Sequence, residues 1–157
     1  MDLTGEYRIP AAPAIVWEAL NDAEVLAACI TGCKALARTS DTSFEATVAV
    51  KVGPVSATFK GAVTLSDMDP PRAYTIAGQG QGGAAGFAKG QARVTLDDDD
   101  GGTVLRYLAK AEIGGKLASI GSRLIQGVAK KTADEFFGAF AARLGGAATP
   151  PPPAPTP

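Results

Sequence analysis

Histidine is absent from the 157 residues and cysteine occurs only twice. Without histidine there is no Ser-His-Asp triad, no Cys-His pair, no HExxH zinc site and no histidine-ligated haem. Carboxylate and lysine chemistry stay open, but no residue is nominated as catalytic. The two cysteines, Cys29 and Cys33, have neither CxxC nor zinc half-site spacing, so no metal centre is expected. They read as small buried hydrophobes at the end of a helix. Positive charge is not in excess either. Lys and Arg number 15 against 16 Asp and Glu, a formal net charge of −1, with no basic stripe to neutralise phosphates; nucleic acid is not the expected partner. Apolar runs are broken by charges well short of a membrane span, and Met1-Asp2-Leu3 does not open a signal peptide. The expected location is therefore cytoplasmic.

What is present is an ordinary globular composition, 46% hydrophobic and 20% charged, on a length that suits one domain. Leu3 to Ile9 alternates as a strand that Pro10 ends. Pro13 to Asp22 reads as a short helix, and Asp22 caps a second over Ala23–Ile30, which stops at Thr31-Gly32. From Phe44 the period changes to two. Phe44–Val52 and Val55–Leu65 flank Gly53-Pro54, Asp69-Pro70-Pro71 breaks the chain, and Tyr74 and Ile76 begin a further strand. A hairpin follows over Gly86–Leu96 and Thr103–Glu112. Gly114-Gly115 then releases a long helix, Lys116 to Leu144, with Leu117, Ile120, Leu124, Val128, Phe136 and Phe140 at three- and four-residue steps. The remaining segment, 145–157, is Gly, Ala, Thr and Pro and is expected to be a disordered, polyproline-like tail. The fold class is α+β, a curved antiparallel sheet around a long C-terminal helix, over residues 1–144.

Two motifs resolve to bland readings. Gly78-Gln79-Gly80-Gln81-Gly82-Gly83 contains a formal GxGxxG, but a strand-like segment follows it where a dinucleotide site needs a helix. It reads as a mobile glycine loop between two strands, placed to gate the interior. Asp97–Asp100 lacks the alternating ligands and terminal Glu of a calcium loop and reads as a solvated turn. Two other features say more. The inward strand positions include Ala46, Ala57, Gly61, Gly90, Ala92, Ala109 and Ala111. Small residues on a concave sheet either leave a cavity, which an apolar lining would suit to a lipid-like guest, or admit a closely packed helix. Both readings stand at this point. On the helix, each four-residue step rotates the apolar stripe by roughly 40°. Phe136 and Phe140 are expected to be buried and Phe137 exposed, where with Lys130 and Lys131 it would offer a membrane or partner surface.

Pro13–Asp22 followed by Leu26-Ala27-Ala28-Cys29-Ile30-Thr31-Gly32-Cys33 resembles the opening of the G-subunit family of carbon monoxide dehydrogenase. Lys51–Val55 with Phe59-Lys60-Gly61 resembles the central hairpin of that family, and Gly90-Gln91-Ala92 with Gly121–Ile125 through Phe137 its C-terminal half. The resemblance covers about Met1 to Leu144. Thr31 departs from it, since the family usually has proline before Gly-Cys.

The resemblance implies the START/Bet v1-like helix-grip fold of the SRPBCC superfamily, which encloses an apolar cavity. It further implies a non-enzymatic accessory protein of a molybdenum carbon monoxide dehydrogenase. Such a protein would bind a lipid-like guest, an isoprenoid quinone in the leading reading, hold no covalent cofactor, and link the enzyme to the cytoplasmic face of the membrane by peripheral contact. On the strands the cavity would be lined by Val48, Val50, Phe59, Tyr74, Ile76, Leu105 and Tyr107. From the helices it would take Leu26, Ile30, Leu117, Ile120, Leu124 and Val128. The alternatives are a ligand-free docking or assembly factor and a cyclase- or hydrolase-like enzyme of the wider superfamily.

Overall fold

A computed structural model describes residues 1–144; the tail expected over 145–157 lies outside the described residues. The alternating segments form seven strands: β1 (Asp2–Ile9), β2 (Cys33–Ser40), β3 (Ser43–Val52), β4 (Val55–Asp69), β5 (Ala73–Gln81), β6 (Phe87–Asp99) and β7 (Gly102–Gly114). They make one antiparallel sheet in the order β1-β7-β6-β5-β4-β3-β2. Three helices, α1 (Pro13–Leu20), α2 (Ala23–Cys29) and α3 (Ser122–Arg143), complete the described fold.

Local chemistry accounts for most of these boundaries. Pro13 occupies the first turn of α1, where its missing N–H costs nothing. The Glu24 backbone N–H donates to the Asp22 carboxylate at 2.9 Å, capping α2. β6 and β7 run into a tight turn at Asp100 and Gly101, both at positive φ (55° and 86°), so the aspartate run is a solvated hairpin end.

Three expectations change. β2 is an addition to the expected strands, because a mostly exposed edge strand with a register shift after Cys33 carries no apolar alternation. Cys33 therefore begins a strand and is half-buried, while Cys29 is buried in α2; both are free thiols. Gly78 and Gly80 lie inside β5, and only 82–86 is loop, tightened by a short 3-10 turn at Gly83–Ala85. The expected single helix is broken: Gly115–Ile120 is a 3-10 segment, and Gly121, at φ 103°, separates it from α3.

That break sets the helix phase anew and moves the phenylalanines. Phe137 turns inward and stacks on Tyr7 with 4.4 Å between ring centroids, flanked by Phe136 and Phe140. It is not the exposed residue of the helix; Leu124 is, at 43%. The core occupies one end of the concave face. Ile9, Val16, Leu96, Leu105 and Phe140 are sealed there beneath α1, α2 and the C-terminal half of α3. Each such side chain contributes about 1.5–3 kcal/mol through burial.

Candidate ligand-binding site

The other end of the concave face is built differently. Strand register places Tyr74, Val94, Tyr107 and Gly5 in one row across β5, β6, β7 and β1. The next row is Ile76, Ala92, Ala109 and Leu3. Beyond it come Val63, Gly78, Gly90 and Ala111, then Gly61, Gly80, Ala88 and Ile113. Because side chains alternate along each strand, these rows share a face with the core. Bulk therefore falls away from the packed end toward the far end. The first half of α3, with Ile125, Val128 and Ala129 half-buried, is equally slim.

A cleft of about 710 Å³ opens at this far end. Its walls come from the β3–β4 turn (Pro54, Val55), β4 (Ala57), the β5–β6 loop (Ala84, Ala85), the 3-10 segment (Lys116, Ile120) and α3 (Leu124). A second depression of about 650 Å³ lies on the convex face. Its floor mixes Thr64, Gln79, Lys89, Gln91, Lys110 and Glu112 with the small residues Ala62, Ala77 and Ala111, and it offers no large apolar side chain.

The structure divides the predicted cavity residues. Ile120 and Leu124 line the cleft. Val48 pairs with Phe59 and Val50 with Ala57, and all four are half-buried at the slim end. Ile76, Tyr107, Val128, Leu26 and Ile30 are half-buried as well, with Ile76, Tyr107 and Leu26 packed against the core. Leu105 is wholly inaccessible to water, so it touches no cavity and belongs to the core. Tyr74, edge-on to Trp17 at 5.4 Å, and Leu117 are buried too. Ala84 and Ala85 join the lining without having been expected there, since small residues in turns carry no periodic signal, and Val55 joins it from the start of β4, where its inward alternation is legible. Of the expected surface set, Lys130 and Lys131 are exposed, but Phe137 is not beside them.

Some of the small residues also serve the sheet. A Cβ on Gly90 would lie 2.4 Å from the Lys110 carbonyl oxygen, and one on Gly61 2.7 Å from that of Gln79. At these points the coiled sheet brings neighbouring backbones too close for a side chain. The alanines at 46, 88, 92, 109 and 111 are not explained this way.

One polar group sits between sheet and helix. The Tyr7 hydroxyl donates to Asp134 Oδ1 at 2.7 Å, and Lys130 Nζ donates to Oδ2 at 3.0 Å. Tyr107 lies parallel to Tyr7 with centroids 6.5 Å apart, and Gly5 leaves room for its ring. The Tyr7 hydrogen bond, then Lys130, holds the Asp134 carboxyl below the usual carboxylate value. Burial, followed by the bond to Asp134, pushes Tyr7 far above an ordinary phenol. Burial alone does the same to Tyr74. An acid kept ionised in this way is a structural anchor; a general acid needs the opposite shift. The inward role of Asp134 has no signature in the sequence, where it reads as a surface partner of Lys130. Among the described residues no cluster of His, Cys, Asp or Glu could hold a metal, and no helix is long and apolar enough to cross a membrane.

The family model for the G subunit of carbon monoxide dehydrogenase (CoxG) matches residues 5–145. A conserved protein from Geobacillus kaustophilus superposes with a TM-score of 0.86 at 30% identity, covering 92% of this chain and 95% of that one. A START superfamily protein from Mycobacterium smegmatis gives 0.66 at 15% identity, over 90% and 95% of the two chains. A Thermus thermophilus protein gives 0.69 at 13%, over 92% and 97%. The last two likenesses establish the helix-grip fold alone. No curated protein sequence matches the chain.

Proposed function

The chain belongs to the CoxG family, the G subunits of carbon monoxide dehydrogenase, and from that premise we propose that it is a non-enzymatic accessory protein carrying a lipid-like molecule, an isoprenoid quinone, to or from the membrane for a molybdenum carbon monoxide dehydrogenase. The observation that carries this reading is the graded concave face. Side chains shrink from Tyr74 and Val94 to Gly78 and Gly90 across the register, and past these rows, at the same end of the sheet, a cleft opens between the β3–β4 turn, the β5–β6 loop and α3. An aromatic head group would meet the Tyr107 side of the stacked rings, and a flexible tail would leave through the cleft between Val55 and Ile120. A mostly apolar lining of this kind, with Val55, Ile120 and Leu124 as its large side chains, favours such a guest over a charged substrate. Native mass spectrometry of protein purified without detergent tests it: a retained mass that extracts as a quinone is expected, and an empty protein that takes up no added quinone overturns it.

A second reading has its own support. Gly61 and Gly90 are required by sheet coiling whether or not a ligand binds, which suits a docking or assembly factor without cargo. The enzyme reading gains no comparable observation, since the carboxylate beside a tyrosine, Asp134, is ionised more readily than usual.

A further inference from the structure

The ends of the sheet differ in charge. The cleft end is formed by the β3–β4 turn, the β5–β6 loop and the segment from β7 to α3. Residues 46–66, 73–96 and 113–133, which include these three connections, contain no Asp or Glu at all. They do contain Lys51, Lys60, Lys116 and Arg123, all exposed and with no ion pair or side-chain hydrogen bond among the described residues. Glu112, just outside this set, is paired with Lys89 at 3.2 Å. The opposite end gathers the acids: Asp41 between β2 and β3, Asp67 and Asp69 at the end of β4, Asp97–Asp99 at the end of β6 and Asp100 in the turn after it, with Asp69, Asp97 and Asp99 paired to Arg72, Arg106 and Arg8. A net charge of −1 thus hides an uneven distribution, in which the cleft end carries cations without acids.

At the cationic end the large side chains of the cleft are apolar apart from Lys116, with Ser56 and Ser119 among the small ones. Leu124, 43% exposed, sits over Gly53 beside Ile120, with Pro54, Val55 and Ala84 on the facing walls. Lys116 lies in the same lining, and Arg123 precedes Leu124 on α3. We infer that this end docks, cleft first, on a lipid bilayer bearing anionic head groups. The cations meet the head-group charge, and Leu124, Ile120 and Pro54 enter the interface. An acidic protein face would satisfy the lysines and the arginine but would leave the apolar centre of the ring without a match. A bilayer satisfies both. The acidic end is then held away from the surface. The inference specifies the membrane step of the function proposed above and rests on it, and it replaces Phe137 as the membrane-facing hydrophobe.

Full-length protein is to be sedimented with vesicles of phosphatidylcholine alone and with added phosphatidylglycerol. Binding is expected only to the anionic vesicles and should fall steeply with salt. The double variant Lys116→Glu/Arg123→Glu should weaken it by about tenfold or more, and Leu124→Asp should also weaken it. Lys110→Glu on the convex face should leave it intact, and melting curves should verify that all variants fold. Equal binding to neutral vesicles, binding to neither, or an unaltered double variant overturns the inference. So does a double variant that keeps vesicle binding but loses binding to the dehydrogenase, which assigns the face to an acidic protein surface. Ligand content of the same variants, read by native mass spectrometry, separates this outcome from failure of the cargo reading.

Discussion

Tyr7 on the edge strand and Asp134 on α3 are joined by a 2.7 Å hydrogen bond that spans 127 residues of sequence. The bond fixes the helix over the sheet at the point where the packed core gives way to the slim end. Phe137, one turn further along α3, stacks on the same tyrosine ring, so apolar and polar contacts hold one position. Tyr7→Phe keeps the stack and removes the hydroxyl. It should cost about 1–2 kcal/mol, near the low end for a hydrogen bond to a charged group because the Asp134 side chain is 41% exposed. Urea titration of both proteins measures the difference. Since the folded Asp134 carboxyl is held below its ordinary value of 3.8, its contribution is complete above that pH and is lost as pH falls through the folded value. The gap between wild type and variant should therefore narrow only in that acid range.

Alkaline behaviour should run the other way. Tyr7 and Tyr74 are raised above the ordinary phenol value of 10.0, chiefly by burial. A raised folded pKa gives stability that is present below about pH 10 and is lost as pH rises beyond it. Tyrosinate absorbance for these two residues should appear together with unfolding. Their ionisation in a still-folded protein near pH 10 would contradict the packing described.

Gly127 offers a gain. It lies within α3, is exposed, and a Cβ there would meet nothing within 4 Å. Gly127→Ala should raise stability by about 0.5–1 kcal/mol through helix propensity and a less free unfolded chain. A higher melting temperature with unchanged vesicle binding is the expected result.

Gly90 offers a loss. A side chain would press on the Lys110 carbonyl oxygen from 2.4 Å, so Gly90→Ala should cost about 1–3 kcal/mol as β6 and β7 part. Chemical denaturation checks it, and a neutral result would mean that the sheet relaxes there at little cost.

Ala92 discriminates cargo from solid packing. It stands between Ile76 and Ala109 in the row where the slim end begins. If the space is open, Ala92→Leu should fold with stability unchanged or slightly raised and should lose the copurified ligand. If α3 already fills the space, the same change should cost about 1–3 kcal/mol by overpacking. Thermal melts and native mass spectrometry on one preparation decide it.

Period-two patterning makes β1, β3, β4 and the β6–β7 hairpin legible, and with them the helix-grip order, because each of these strands is wet on one face and dry on the other. The inward face is legible in outline: Val48, Val50 and Phe59 are half-buried on β3 and β4, as their alternation implies. Leu105 sits in the core instead, because periodicity identifies a face but not the position along it, and on this face packed core and open space succeed one another within a few residues. β2 escapes notice because an exposed edge strand has no dry face to pattern.

The sequence by itself determined the absence of histidine chemistry, the alternating strands and the capped α2. All of these follow from residue type or from contacts a few positions apart. Only the tertiary structure decided that Phe137 lies against Tyr7, that Asp134 is an anchor, and that Lys116 shares the cleft lining with Ile120 and Leu124. The first followed from the break at Gly121, which resets the rotation of α3. The others depend on strands and turns that meet only after the sheet has coiled, and no local pattern in the chain encodes that distance.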